Sequence, residues 1–168
     1  MARLDYVVEG SEVADRIRAR RGGRLTALDG MLLHSPPFAD GWNNLLGAIR
    51  GNSTLPGDIR ELAILRVAEL NGAEYEWSAH EPVAKEEGMT TDQLAALRVG
   101  GDTGALDARQ RATVAYTDAM TREIAVGDEL FGALGEHFDE QQVVELTVTV
   151  GAYNMVSRFL VALEVGKE

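Results

Sequence analysis

Apolar residues return every three or four positions along almost the whole chain, and glycine or proline closes each run. Val13 and Ile17 form one such run; Leu25, Leu28, Met31 and Leu32 a second; Phe38, Trp42, Leu45, Leu46 and Ile49 a third; Ile59, Leu62, Ala63 and Val67 a fourth. That spacing puts the residues on one stripe of a helix, whereas a half-buried strand would alternate at every second residue. Breaks fall at Gly22-Gly23, Ser35-Pro36-Pro37, Asn52 to Gly57 and Asn71-Gly72. These residues remove a backbone donor or supply a left-handed cap, so each is read as a helix end. The fold class is all-α.

Helices are predicted over 11–20, 25–34, 38–50, 58–71, 73–87, 92–99, 107–123, 127–137 and 139–165. Pro82 lies inside the fifth, where it removes the bond to the Ser78 carbonyl and is expected to kink the helix. In the seventh, Ala112, Ala115, Tyr116, Ala119 and Met120 are expected to face inward. The run from Val143 to Phe159 is too long for a strand, so its β-like patch Thr147 to Val150 is read as helical. Gly100, Gly101 and Gly104 form a flexible link within one domain, 1–168. There is no glycine-rich phosphate loop, which argues against a nucleotide-binding sheet.

Composition narrows the chemistry. The chain has 168 residues, 45% hydrophobic and 26% charged, and a net charge of −11. It is large enough to bury a core, and its charge repels phosphate backbones and anionic membrane surfaces. No nucleic-acid or membrane partner is expected. Arg16, Arg18, Arg20, Arg21 and Arg24 are read as a solvated helix face. The chain has no cysteine, which excludes disulfides, thiolate metal sites and thiol redox cycling. The opening residues MARLDYVVEG lack a charged-then-apolar leader pattern, and a cytoplasmic protein is expected.

Acid–base chemistry remains. Glu76 and His80 stand four residues apart, one turn along a helix face, where they can share a proton or a ligand. The same pair on an exposed helix would be a mild stabilising contact. Glu61 lies on the preceding helix, so two carboxylates can flank one imidazole. Buried between apolar helices, such a group would have its proton affinities moved toward neutrality. Tyr75 and Trp77 are candidate walls for a substrate, Trp77 equally a core residue.

The segments Leu55-Pro56, Arg60 to Leu65, Glu74 to His80 and Gly88 resemble the carboxymuconolactone decarboxylase and alkylhydroperoxidase D-like superfamily. The likeness covers most of the chain, is strongest over 54–90, and extends to GAYNMVSRFLVAL. It implies an alkylhydroperoxidase D-like bundle of about seven to eight helices. In the hydroperoxidase branch the glutamate and histidine match Glu61 and His80, while the two cysteine positions are Ala73 and Glu76; thiol peroxidase chemistry is therefore not carried over. Glu76 to His80 is similar to the decarboxylase signature, which implies a cofactor-independent lyase acting on a small carboxylated lactone.

Losing carbon dioxide from such a molecule leaves an enolate-like carbanion that needs a nearby donor and an acid. His80 is the expected proton donor or shuttle, with Glu61 and Glu76 as its partners. Arg66 or Arg158 is expected to hold the substrate carboxylate. The resemblance further implies a homo-oligomer, a trimer or hexamer, with the C-terminal helix and the Trp42 helix as contact surfaces.

His34 is a candidate to line the same pocket, and equally a capping or surface residue. His137, among acidic groups, is set aside. Asn154 and Arg158 share a face of the last helix and point to a pocket or a subunit interface. A metal site of Glu61, Glu76, His80 and His34 is not expected, since no His-Glu-x-x-His pattern is present. Two other functions fit the same residues: an isomerase, hydratase or cyclase of an aromatic or polyketide-like metabolite, and a helical binding or scaffold protein in which the motif only packs.

Overall fold

The computed structural model describes residues 1–167. Among them are nine α-helices and a single 3-10 turn, and no strand. In chain order the helices are α1 Glu12–Arg20, α2 Ala27–Leu32, α3 Pro36–Gly51, α4 Gly57–Leu70, α5 Glu74–Glu86, α6 Thr91–Ala96, α7 Ala108–Arg122, α8 Asp128–Gly135 and α9 Glu140–Leu163. The prolines at 36 and 37, expected as a stop to the second helix, follow the end of α2 and also open α3. The first turn of a helix tolerates proline because its N–H groups have no partner there in any case. The chain clusters into two compact units, 1–52 with the residues from 159 onward, and 53–158.

In the first unit, Ala14, Ile17, Leu32, Leu33 and Ala39 form the core, with Val13, Leu28, Trp42 and Phe159 packed against it. Ser11 caps α1 by accepting from the Ala14 N–H at 3.1 Å. Thr26 and Asp29 form a reciprocal cap on α2. Asp29 is buried and is paired with Arg21 at 2.8 Å. Two more of the basic cluster are held by acids, Arg16 by Asp40 and Arg18 by Asp15.

The second unit is organised around α4, which packs on α5 and α7. Every residue of α4 from Ile59 to Ala68 is buried, including Arg60, Glu61 and Arg66. A helix covered on all sides cannot leave charges unpaired, because removing an ion from water is costly without a partner. Arg66 meets Asp118 of α7 through Nε and a terminal nitrogen, both at 2.6 Å, and donates to the Leu97 carbonyl at 2.8 Å. The apolar core beside it includes Leu62, Leu65, Trp77, Leu97 and Val114.

Two details set the entry and exit of α4. Glu145 of α9 accepts from the Ser53 and Thr54 hydroxyls and from the Thr54 and Leu55 N–H groups, at 2.8 to 3.0 Å. At the exit, Gly72 takes φ +63, and the following N–H of Ala73 donates back to the Ala68 carbonyl at 2.8 Å. This left-handed cap turns the chain sharply, and α5 returns along α4. α5 then continues through Pro82 to Glu86.

The buried face of α7 matches the expected one only in part: Tyr116 and Ala119 are buried, but the face is shifted toward two threonines. Thr113 and Thr117 are fully buried and Ala112, Ala115 and Met120 only partly so. The threonine hydroxyls donate to the carbonyls four residues back, Arg109 and Thr113. Their polar atoms are thereby satisfied inside the helix, so only the methyl faces need apolar neighbours.

Candidate active site

The return of α5 along α4 brings His80 to Glu61. The imidazole Nδ1 lies 2.7 Å from Glu61 Oε2. Glu61, 1% exposed, also accepts from Arg60 Nε at 3.1 Å on its other oxygen. A terminal nitrogen of Arg60 continues to Glu87 at 3.0 Å, just beyond the end of α5. Arg60, Glu61 and His80 therefore form one hydrogen-bonded chain across the α4–α5 contact. Glu61 acts as acceptor on both oxygens, which places the imidazole proton on Nδ1 and leaves Nε2 for proton exchange. From α9 the Tyr153 ring meets the imidazole edge-on, with centroids 5.2 Å apart.

Glu76 precedes His80 by one turn of α5 and is only 2% exposed. Both of its carboxyl oxygens are buried without a hydrogen-bond partner among the described residues. Burial alone pushes its carboxyl well above the ordinary glutamate range, favouring the neutral acid. The two carboxyl groups of the motif thus sit in opposite surroundings, Glu61 between a cation and an imidazole, Glu76 in a dry, unpartnered position.

The other candidates lie as follows. Trp77 is 3% exposed and belongs to the apolar core; its Nε1 donates to Glu81 at 2.9 Å, and the Arg98 guanidinium stacks 3.4 Å from its ring. Tyr75 is partly exposed on the same helix. Arg66, expected as a carboxylate clamp, is committed to Asp118 and the Leu97 carbonyl, and serves as a staple between helices. Asn154, expected to face a pocket or interface, is satisfied within the unit. It accepts from Asn71 at 3.0 Å and from Arg158 at 2.8 Å, and donates to Thr121 and to the Val150 carbonyl, each at 3.0 Å. Arg158 is exposed and lies along α9 through that bond. His34 is exposed in the first unit, its Nε2 2.8 Å from the Asp5 carbonyl oxygen.

Sequence reasoning missed Arg60 and did not give Tyr153 a place beside His80. Arg60 adjoins Glu61, but neighbours on a helix point about 100° apart. Only the length of the arginine side chain lets it curl back onto the carboxylate. No group of three or more histidine, aspartate or glutamate side chains suited to a metal ion occurs among the described residues.

The fold has well-defined relatives. An uncharacterized peroxidase-related protein from Silicibacter sp. TM1040 superposes with TM-score 0.82 at 18% identity, covering 98% of this chain and 90% of that one. A putative antioxidant defence protein AhpD from Agrobacterium tumefaciens gives TM-score 0.74 at 23% identity over 80% and 92%. At these identities the likeness establishes an alkylhydroperoxidase D-like helical fold. The uncharacterized protein YdfG of Bacillus subtilis (strain 168) is 26% identical over 113 residues, 66% of this chain and 77% of that protein. Residues 36–119, half of the chain and the part that carries Glu61, Glu76 and His80, match the carboxymuconolactone decarboxylase family, and the chain belongs to it.

Proposed function

We propose that this protein is a cofactor-independent lyase that decarboxylates a small carboxylated lactone or related unsaturated acid by acid–base chemistry. The observation that carries the reading is the 2.7 Å contact between Glu61 and His80, anchored by Arg60. A histidine whose Nδ1 is fixed by a carboxylate presents Nε2 in a defined direction, the arrangement general acid–base catalysis requires. The absence of cysteine directs the chemistry away from peroxide reduction. The substrate's own carbonyl or double bond would delocalise the electron pair left by departing carbon dioxide.

The test is carbon dioxide release from a panel of unsaturated lactone carboxylates and β-keto acids. Wild-type protein is expected to release it, and His80→Ala and Glu61→Gln to lower kcat by about 10²-fold or more, the usual contribution of a positioned acid or base. Turnover by His80→Ala at the wild-type rate would remove the imidazole from the mechanism.

The same reading includes assembly of identical copies. On α9, Val144, Val148 and Met155 are exposed at helical spacing. Gly151 lies among them with nothing within 4 Å of where a side chain would begin. Glycine inside an exposed helix costs about 1 kcal/mol relative to alanine, and nothing within the chain requires it there. Close approach of a second copy's helix would explain it.

A further inference from the structure

We propose that Glu76 is the proton donor to the carbon that loses its carboxylate, and that His80 reloads it between turnovers. The proposal rests on the decarboxylase reading above and reassigns the acid within it. Among the buried charged side chains Glu76 stands apart. Asp29 has Arg21, Arg60 has Glu61 and Glu87, and Arg66 has Asp118. Glu76 has no hydrogen-bond partner on either oxygen among the described residues. A fold that pairs its other buried charges has no structural use for a lone buried carboxyl, since leaving such a group unsatisfied is destabilising.

Position supplies the role. Glu76 and His80 lie one turn apart on the same face of α5, which sets their Cβ atoms about 6 Å apart. His80 is fixed at Nδ1 by Glu61 and its side chain is 12% exposed, so it reaches solvent where Glu76 does not. In the step itself, the bond between the substrate carbon and its carboxylate breaks, and the electron pair spreads into the conjugated carbonyl. Glu76 then delivers its proton to that carbon as the O–H bond breaks, leaving free carbon dioxide, the protonated product and an ionised Glu76. A buried, unpaired carboxylate is unfavourable, so Nε2 of His80 first takes a proton from solvent, forming the imidazolium, and then passes it to Glu76, which restores the neutral acid and the neutral imidazole. An ionised Glu76 would repel a carboxylate anion, so an anionic substrate is compatible with the neutral acid.

Two measurements test this. Infrared difference spectra of folded wild type against Glu76→Gln are expected to show the carbonyl stretch of a protonated carboxyl, shifted in D2O and missing in the variant; its absence from wild type overturns the proposal. With an unsaturated γ-lactone carboxylate in D2O, wild type is expected to release carbon dioxide and place one deuteron on the product carbon. Glu76→Gln, its fold checked by circular dichroism, is expected to lose about 10²-fold or more in kcat with little change in KM. Unchanged kcat in Glu76→Gln overturns the donor role and leaves the Glu61–His80 reading standing. No carbon dioxide from wild type overturns the decarboxylase reading and the donor role together, while the infrared result still decides whether Glu76 holds a proton.

Discussion

Replacing Glu76 with methionine should stabilise the protein while abolishing its activity. The side chain is 2% exposed with both oxygens unpartnered, and burying an unsatisfied polar group costs about 1–3 kcal/mol in proteins. Methionine has nearly the same length and no polar atom, so it recovers that penalty without a large change in volume. The expected gain is roughly 1–3 kcal/mol near neutral pH. The gain should also depend on pH, with a definite sign. Burial raises the Glu76 carboxyl above its ordinary value of 4.5, so the native state binds more protons than the unfolded one above that pH. The native state is therefore favoured fully below about 4.5 and loses stability as pH rises toward the folded-state value, by at most about 1.4 kcal/mol per pH unit. Glu76→Met lacks this slope. Urea unfolding followed by circular dichroism at pH 5 and pH 8, compared at constant m-value, measures both effects. A variant less stable than wild type by about 1 kcal/mol at both pH values, or one with the same pH slope, would refute the reasoning.

Glu145 should behave with the opposite sign. Partial desolvation works to raise its carboxyl, but hydrogen bonds from Gln141, Ser53 and Thr54 outweigh it and hold the group at about 2. Its contribution is present above the unfolded value of 4.5 and is lost as pH falls toward 2. Glu145→Ala is expected to cost about 2 kcal/mol at pH 7 and much less at pH 3, read from urea midpoints. On α9, Val148→Glu places a charge in the exposed apolar stripe; sedimentation velocity is expected to show a shift from an oligomer to the monomer, and a wild type already monomeric would refute the assembly.

Where helices begin and end was legible because caps and breakers act locally. Ser11 and Asp107 cap where the predicted helices begin, and the Asn71-Gly72 turn closes α4. Which faces are buried was less legible. The apolar stripe of α4 suggested a helix with one wet side, yet Arg60 and Arg66 are buried as well. Their burial depends on partners 27 and 52 positions away in Glu87 and Asp118, and no period within α4 encodes such pairing. For the same reason Arg66 was read as a carboxylate clamp and Asn154 as facing a pocket or a subunit interface, when their partners were already within the chain. Glu61, Glu76 and His80 stood out through the family resemblance. The contrast between the two glutamates, one bonded on both oxygens and one on neither, emerged only from the packing.

That contrast explains why one helix pair can hold both an orienting carboxylate and an acid. Arg60 reaches Glu61 and Glu87 at once, so it ties the imidazole's partner to the far end of α5 as well as to α4. The negative charge that Glu61 needs in order to fix Nδ1 is balanced by that guanidinium, within hydrogen-bond distance. Glu76 receives no such cation, and in a dry site the neutral form is then the favoured one. Two identical side chains are thereby given different surroundings, one beside the arginine and one without a partner among the described residues. Had Arg60 faced Glu76 instead, the acid would be ionised and the imidazole unanchored, and neither step of the proposed proton transfer would have a starting point.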